Sequence, residues 1–232
     1  MHRRITILTM LLGMLGGCAG ISGGQPQQQA LVDRATLTVQ EIATGQNNGD
    51  FNNLLRRSRA AVVCPRVFRA GFIFGGEGGA CLLVARDGGG SWSSPAFYTM
   101  GSGSFGLQIG VQDAQIVMIV MTDRGLNALL NSQFKMGADA SVAVAQYGGG
   151  IEGSTTANVG ADIVAFARAS GLFAGLTIEG SILTSRPDAN RSYYGSNASP
   201  RQIVVDMAAH NPGADPLRAA LMRYGTRTAP AP

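Results

Sequence analysis

The sequence has few of the residues on which many hydrolases and metal proteins depend. It contains 2 histidines and 3 cysteines in 232 residues, and once an N-terminal segment with His2 is set aside, His210 is the one histidine left. A Ser-His-Asp triad would have to use His210, and no G-x-S-x-G motif presents a serine. Clusters of histidine and cysteine at metal-ligand spacing are also absent. We therefore predict a protein that is not an enzyme and that needs no cofactor or metal.

Long hydrophobic runs are missing as well. The N-terminal apolar stretch, residues 5–15, is too short for the roughly 20 residues of a membrane-spanning helix. It follows two arginines and ends in LGGC (residues 15–18), a pattern typical of a bacterial lipoprotein signal. We predict a signal peptide over residues 1–17 and attachment of acyl chains such as palmitate at Cys18. A plain secretory signal with an incidental cysteine is the alternative.

Because Ala19, not aspartate, follows Cys18, we expect a lipid-anchored protein of the outer membrane that faces the periplasm. Residues 19–29 are polar and lack apolar periodicity, which predicts a flexible tether. The predicted organisation is a signal peptide over 1–17, lipidated cysteine and tether over 18–29, and a single domain over 30–232, a length that one core can fill.

Positive charge is modest. The chain carries 18 basic and 14 acidic residues, a net charge of +4, and removing the signal segment takes away two arginines. Residues 51–70 contain five arginines and no acid, whereas residues 100–182 contain 3 basic and 6 acidic side chains. This uneven distribution says more about binding partners than the total charge does. We expect no nucleic-acid partner. The five arginines are Arg56, Arg57, Arg59, Arg66 and Arg69.

Besides Cys18, only Cys64 and Cys81 remain. In an oxidising compartment these two residues could form a disulfide. Two buried thiols are the alternative, because unpaired cysteine packs as a small apolar residue and a disulfide needs Cα atoms within about 7 Å. The sequence leaves both open.

Glycine, by contrast, is abundant, with 33 residues. The usage is about twice the average of about 7%, and the lack of a three-residue period excludes collagen. The run 71–121 predicts a β meander, and the whole β region predicts a mainly antiparallel curved sheet or barrel within an α+β fold. Val117 to Met121 is apolar throughout and should be buried on both faces. Strands are predicted at 82–84, 97–100, 106–111, 115–121, 141–146, 163–168 and 172–183.

Helices are predicted at both ends of the β region. Apolar residues recur at helical spacing over residues 31–42, and Asp50 is a plausible N-cap for an amphipathic helix over residues 51–63, with Pro65 ending or interrupting the pattern. A short helix over residues 126–130 would be capped by Asp123 or Thr122. Near the C-terminus, Pro200 and Pro216 mark helix starts.

Four segments of the chain share a pattern with a known family: residues 70–121, FKMGADASVAVA (134–145), DIVAFARASGLFAGLTIEGSIL (162–183) and DANRSYYG (188–195). On these segments the chain resembles the SYLF domain, a lipid-binding module of eukaryotic membrane-trafficking proteins and bacterial lipoproteins. The resemblance covers about residues 31–209 and implies lipid binding. In eukaryotic members phosphoinositide binding is associated with an amphipathic N-terminal helix and basic residues, and these members also bind actin, a property we do not extend to a bacterial envelope.

The resemblance and the charge pattern together predict docking on anionic phospholipid headgroups. Arginine stems lie along apolar boundaries while their guanidinium groups reach phosphate, so we place the contact on Arg56, Arg57 and Arg59, with Arg66 and Arg69 nearby. A solvated helix face is the alternative for the arginines. For the whole protein, the alternative is an envelope scaffold or adapter that binds protein or peptidoglycan.

Other motifs carry weaker predictions. Gly101, Gly103 and Gly106 match G-x-G-x-x-G, but the alternation that follows indicates a strand, so we reject a dinucleotide site. We expect three acidic residues, Glu77, Asp139 and Glu179, to cap turns or to be satisfied polar groups. The aromatic residues Trp92, Phe97 and Tyr98 should pack in the core, with lipid contact as the alternative, whereas Tyr193 and Tyr194 suit a boundary position.

Overall fold

The computed structural model describes residues 25–45, 48–71, 74–105, 110–146, 160–171 and 180–226. The signal segment and Cys18 lie outside these ranges, so export and lipid attachment stay predictions. Glu179, Gly106 and most of the strand predicted at 172–183 also lie outside them.

Six α-helices, eight strands and one 3₁₀ turn occur in the described residues. The N-terminal half contains α1 (Gln25–Thr44), α2 (Gly49–Arg57), β1 (Ala60–Gly71), β2 (Phe74–Ala85), β3 (Ala96–Phe105) and β4 (Gly110–Val120). The second half contains α3 (Asp123–Leu129), β5 (Gln133–Lys135), β6 (Val142–Gln146), β7 (Ile163–Gly171), β8 (Ile182–Ser185), α4 (Pro187–Tyr194), α5 (Pro200–Val204), the 3₁₀ turn Pro212–Ala214 and α6 (Asp215–Gly225).

The strands form one curled sheet in the order β5-β8-β3-β2-β1-β4-β7-β6. Neighbours are antiparallel except β6 and β7, which are parallel. The predicted α+β class with a mainly antiparallel curved sheet is therefore confirmed. The simple meander is wrong, because β4 pairs with β1 and not with β3. Strand β1, part of which we had assigned to a helix, takes the central place between β2 and β4.

A bulge divides β1 into two halves. Its register against both neighbours shifts around Pro65, which fits a bulge because proline cannot donate a hydrogen bond to the ladder. Cys64 and Cys81 form a disulfide across β1 and β2 at this point, with Cα atoms 4.2 Å apart. Gly79 lies opposite, where a Cβ atom would stand 2.4 Å from the carbonyl oxygen of Arg66. The bulge thus requires glycine on the facing strand.

Apolar side chains cover both faces of the sheet. Along β4, Val117 and Ile119 pack under the face that α1, α2, α4 and α6 cover, which we call the helix face. Ile116, Met118 and Val120 pack on the opposite face, together with residues of α3, β5 and α5. Burial of this strand on both faces was predicted and is confirmed up to Val120. The sheet therefore forms the middle layer of three.

The first helix is longer than predicted. Residues 25–29, which we had assigned to the tether, form the first described turns of α1 and pack against the C-terminal part of the chain. Gln29 accepts a hydrogen bond from the Tyr193 hydroxyl at 3.0 Å and donates one to the Gly213 carbonyl at 2.9 Å. Gln29 is thus held in a helix without apolar periodicity because distant polar groups satisfy its side chain.

The second helix is shorter than predicted. It ends at Arg57, where Ser58 donates both its N–H and its hydroxyl to the Leu55 carbonyl, and β1 begins at Ala60. The N-cap is Asn48, so the assignment of this cap to Asp50 is wrong. The apolar run after Arg59 belongs to a strand buried on both faces, a pattern that resembles a buried helix in the sequence.

The remaining helix starts agree with the sequence. Thr122 caps α3 by accepting from the N–H of Gly125. Ser199 and Gln202 form a capping box around Pro200 at the start of α5. Pro216 lies in the first turn of α6, one residue after Asp215. These caps fix the direction of each short helix against the sheet.

Candidate functional site

The five arginines predicted as a lipid site do not form one cluster. Arg56 and Arg57 end α2, and Arg59 precedes β1, whereas Arg66 and Arg69 lie beyond the bulge in the second half of β1. A strand rises about 3.3 Å per residue, so Arg59 and Arg66 lie roughly 23 Å apart along β1. The structure therefore divides the predicted site between two ends of the sheet.

At the glycine-rich end, carboxylates neutralise both arginines. Arg66 donates from Nε and Nη2 to Asp113 at 2.7 and 3.1 Å, and this hydrogen bonding lowers the pKa of the Asp113 carboxyl. Arg69 is largely buried, with Nη2 2.8 Å from Oε2 of Glu77. The other oxygen of Glu77 accepts from Ser181 at 2.7 Å. Arg69 therefore belongs to an internal polar network and is not placed to reach a bilayer.

At the other end, Arg59 lies 3.3 Å from the carboxylate of Asp123. Arg56 and Arg57 are exposed on α2, whose buried face is formed by Phe51 and Leu55. Arg57 has no hydrogen-bond or ion-pair partner among the described residues. Of the five predicted residues, the two on α2 thus retain the amphipathic helical setting that we expected.

The C-terminal end of α6 lies beside the C-terminal end of α2, a contact that the sequence analysis did not predict. Arg86, at the end of β2, donates from Nη1 to the Arg56 carbonyl at 2.9 Å and from Nη2 to the Gly225 carbonyl at 2.7 Å. Its guanidinium lies 4.6 Å from the ring centre of Trp92. A Cβ atom at Gly225 would stand 2.6 Å from Nη2, so a larger residue at this position would displace the Arg86 guanidinium. Arg86 therefore joins the C-terminal ends of α2 and α6.

The last turn of α6 supplies further boundary residues. Arg223 is exposed, with its guanidinium 5.6 Å from the ring centre of Tyr224, and Met222 is 42% exposed. Cations at helix C-termini also interact favourably with the helix dipole. We call the group Arg56, Arg57, Arg86 and Arg223 the cationic end. It combines arginine with exposed apolar and aromatic surface.

Sequence reasoning missed Arg86 and Arg223. Both are far in sequence from residues 51–70, and Arg86 stands alone beside Asp87. One signal was present: the MRY run over residues 222–224 places methionine and tyrosine around a basic residue near the end of a helical pattern. That signal did not reveal that α6 would pack beside α2.

The aromatic residues of the β region belong to the core. Trp92, Phe97 and Tyr98 are each at most 2% exposed, which favours core packing over lipid contact. Tyr193 is also buried, and burial together with nearby carboxylates raises its pKa to about 12. Tyr194 is half-buried and donates to the Pro95 carbonyl at 2.6 Å. These rings join helix α4 to the sheet.

His210 does not assemble a catalytic triad with its neighbours. Its Nδ1 lies 3.3 Å from the Ser94 hydroxyl, and its Nε2 lies 3.9 Å from Asp215, beyond hydrogen-bonding distance. Asp215 instead accepts from Arg218 at 2.7 Å. The histidine lies between α5 and the 3₁₀ turn, as expected for a connecting segment.

The carboxylates singled out in the sequence have structural partners. Asp139 accepts from the Lys135 N–H at 2.6 Å in a turn, and Glu77 forms the network described above. Gly101 and Gly103 lie within β3, and the next element among the described residues is strand β4, whereas a dinucleotide site requires a helix. Across the described ranges, His, Cys, Asp and Glu form no group of three or more that could hold a metal ion. In the same ranges no helix is long and apolar enough to span a bilayer.

The described residues thus form a curled α+β sheet with helices on both faces and a cationic end at the tips of two helices. The family model described as "Ysc84: Las17-binding protein actin regulator" matches residues 101–224, more than half of the chain. The chain therefore belongs to the Ysc84 family, and the resemblance to the SYLF domain is confirmed.

Relatives are found in fungi and animals. Protein YSC84 of Saccharomyces cerevisiae is 31% identical over 71% of this chain and 36% of its own length. SH3 domain-containing protein PJ696.02 of Schizosaccharomyces pombe is 32% identical over 79% of this chain and 42% of its own. SH3 domain-containing YSC84-like protein 1 of Homo sapiens is 33% identical over 55% and 38%. The chain thus spans about two fifths of the length of the curated relatives it matches.

Proposed function

We propose that this protein is a non-enzymatic, lipid-binding lipoprotein of the bacterial envelope that docks on anionic phospholipid headgroups. The observation that carries the proposal is the meeting of the C-terminal ends of α2 and α6 at Arg86, which brings Arg56, Arg57 and Arg223 to one end of the molecule. The docking surface is thus narrower than the five arginines of the sequence prediction, and it includes α6.

The chemistry of the cationic end suits a bilayer surface. Arginine forks bind phosphate oxygens bidentately, and their stems pack along apolar groups. Each basic side chain near a strongly anionic surface contributes about 1 kcal/mol. Three exposed arginines would contribute about 3 kcal/mol, or roughly a 100-fold gain in partitioning. Met222 and Tyr224 supply the apolar and amphipathic contacts that interfacial binding uses.

The proposed lipid anchor is compatible with this orientation. The seven residue-to-residue steps from Cys18 to Gln25 span at most about 25 Å, and the 11 residues of α6 are about 16 Å long. Since Gln29 holds the start of α6 through Gly213, the tether is long enough for the cationic end to contact the membrane that holds the anchor. The Cys64–Cys81 disulfide also supports an oxidising compartment such as the periplasm.

Vesicle flotation tests the proposal. A protein lacking residues 1–18 keeps every described residue, and we expect it to float with phosphatidylglycerol vesicles at low salt but not with neutral vesicles. Changing Arg56, Arg57 and Arg223 to Ala should lower partitioning roughly 100-fold. Because exposed charges are screened beyond about 8 Å at physiological ionic strength, salt should weaken the binding of the unmodified protein.

Arg66→Ala is the matched control, because Arg66 is an exposed arginine at the other end of the sheet and is paired with Asp113. It should leave flotation unchanged, and circular dichroism should show that all variants fold. Equal binding by the triple variant and the control would remove the cationic end as the docking surface. No binding of the unmodified protein at low salt would reject lipid docking.

An adapter role in the envelope is the second candidate. Its support is the family description, which names a Las17-binding protein, and the yeast relative named LAS seventeen-binding protein 3. For this chain the corresponding proposal is a protein or peptidoglycan partner, with the anchor alone supplying membrane contact. Crosslinking in cells that captures one specific partner, together with failure of flotation, would favour this role.

A further inference from the structure

A cleft separate from the cationic end lies between α1 and the sheet. Its volume is about 260 Å³, and it lies beside the first described turns of α1, strands β2 and β3, and the start of α4. That volume is slightly below the 300–1,000 Å³ typical of small-molecule sites, so it suits a small ligand. Its charged and polar lining comes from Arg34, Arg186 and Gln28, and its apolar lining includes Leu31, Phe97 and Ala189.

Polar groups in this cleft lack partners. Gln28 is 8% exposed, and its Oε1 is buried with no hydrogen-bond partner. A buried amide oxygen without a donor carries a desolvation cost that a ligand N–H or O–H would offset. Arg34 is exposed and has no hydrogen-bond or ion-pair partner among the described residues. The cleft thus offers an acceptor and a cation that the fold itself does not use.

The net charge of the cleft favours a singly charged anion over a doubly charged one. Arg186 already shares its charge with Asp188, whose carboxylate lies 2.5 Å from Nη2. Hydrogen bonding from Arg186 also lowers the pKa of Asp188, so this acid is ionised at neutral pH. Arg34 therefore leaves a net charge near +1 in the cleft. A single positive charge matches a carboxylate better than a doubly charged phosphate.

The cleft is held open by contacts that do not involve the side chains of Gln28, Arg34 or Arg186. Gln29 fixes α1 to Tyr193 and to Gly213, and the backbone N–H of Arg186 donates to the Phe97 carbonyl at 2.8 Å. The wall and the helix above it are therefore positioned before any ligand arrives, which lowers the entropy cost of binding.

We propose that this cleft binds a small carboxylate with an adjacent hydrogen-bond donor. Arg34 and Arg186 would hold the carboxylate, the donor would bond to Gln28, and an apolar substituent would lie against Leu31 and Phe97. This chemistry occurs in a free N-acyl amino acid and at the C-terminus of a peptide. The site is independent of the cationic end, so either can fail in experiment while the other stands.

Titration calorimetry of the full-length protein in non-ionic detergent tests the site. We expect saturable binding of N-acetyl-alanyl-alanine and at least tenfold weaker binding of its C-terminal amide, because the amide lacks the charge. Arg34→Gln and Arg186→Gln should each lower the affinity for the free-acid form of the dipeptide about tenfold. Arg191→Gln, which removes another exposed arginine on α4 outside the cleft, should leave affinity unchanged.

A second variant tests whether Gln28 accepts a hydrogen bond from the ligand. Unmodified protein should bind N-acetyl-alanine more tightly than butyrate, which has a carboxylate and no adjacent N–H. Gln28→Leu should remove this preference while butyrate binding is retained. A preference that survives in Gln28→Leu would overturn the assignment of the acceptor.

Peptide length identifies the source of the carboxylate. A longer peptide with the same C-terminal residues should bind as well as the dipeptide if the ligand is a peptide end, whereas its exclusion while N-acetyl-alanine binds would indicate a free acid. The proposal is wrong if no carboxylate gives saturable heat, if the amide binds equally, if Arg34→Gln has no effect, or if glycerol phosphate binds more tightly than every carboxylate.

Discussion

Strand β1 separates two regions whose arginines have opposite environments. Beyond the bulge, Arg66 and Arg69 point to opposite faces of the sheet, and each contacts a carboxylate. Before β1, α2 ends in two exposed arginines, and α6 brings Arg223 to the same end. A run of basic residues in a sequence therefore says little about surface charge until the fold assigns each residue a partner. At the glycine-rich end both arginines contact carboxylates, whereas at the cationic end Arg86 joins two helices and the other three arginines stay exposed.

The largest expected effect concerns the internal pair at the glycine-rich end. Glu77→Gln removes the carboxylate that Arg69 and Ser181 contact, and the Glu77 side chain is 1% exposed. Removing one member of a buried ion pair typically costs about 3–5 kcal/mol, because the remaining charge is poorly solvated. We expect a loss of about 3 kcal/mol in the free energy of unfolding, measured by urea denaturation.

Asp113→Asn is the matched control for this prediction. It makes the same carboxylate-to-amide change in the pair with Arg66, where both side chains are at least 44% exposed. Solvent screens such pairs, so the urea midpoint should hardly move. Equal losses in the two variants would show that burial does not distinguish Arg69 from Arg66.

The disulfide at the boundary between the two regions gives the next effect. Changing both Cys64 and Cys81 to Ala removes a crosslink that closes a loop of 17 residues. The chain-entropy model gives about 3 kcal/mol for such a loop, and we expect a slightly smaller measured loss in the free energy of unfolding. A reductant should destabilise the unmodified protein and leave the double variant unchanged. A urea midpoint that is insensitive to reductant in the unmodified protein would contradict the bond.

Much of the sheet could be predicted from the sequence, because β4 is apolar on both faces and the short helices carry local capping signals such as Thr122 and Ser199. The start of β1 could not be predicted from the sequence. Phe51, Leu55 and Val62 recur at helical spacing, and a strand that is buried on both faces shows no alternation to contradict a helix. The distinction depends on β2 and β4 pairing on either side, which is tertiary information.

The candidate site was only partly predictable for a related reason. Arg56 and Arg57 could be found as basic residues on an amphipathic helix. Arg86 and Arg223 could not be found in this way. The Arg86 guanidinium binds the carbonyls of residues 56 and 225 and so places the end of α6 beside α2, and no local sequence pattern encodes contacts over such separations. The cleft under α1 depends on the same kind of distant contact, since its two arginines lie 152 positions apart.

The smallest effect that we predict concerns Arg124, which is paired with a buried acid at the end of the sheet where β1 begins. Asp162, whose side chain is 5% exposed, accepts from Thr122 at 2.6 Å, from Ser141 Oγ at 2.8 Å and from Arg124. The hydrogen bond from Arg124, followed by those from Thr122 and Ser141, holds the pKa of this carboxyl well below its usual range. Asp162→Asn should lower the free energy of unfolding at pH 7 by about 2 kcal/mol.

The pH dependence gives this prediction its sign. Because the folded pKa of Asp162 is lower than the unfolded value of about 4, its contribution is complete above that value and is lost as pH falls toward the folded one. The stability of the unmodified protein should therefore fall more steeply with acid than that of Asp162→Asn, and the two curves should converge at low pH. Asp123→Asn, an exposed acid paired with Arg59, is the control and should keep the steep slope. Parallel curves for Asp162→Asn and the unmodified protein would mean that these hydrogen bonds do not stabilise the ionised Asp162 carboxylate in the folded protein.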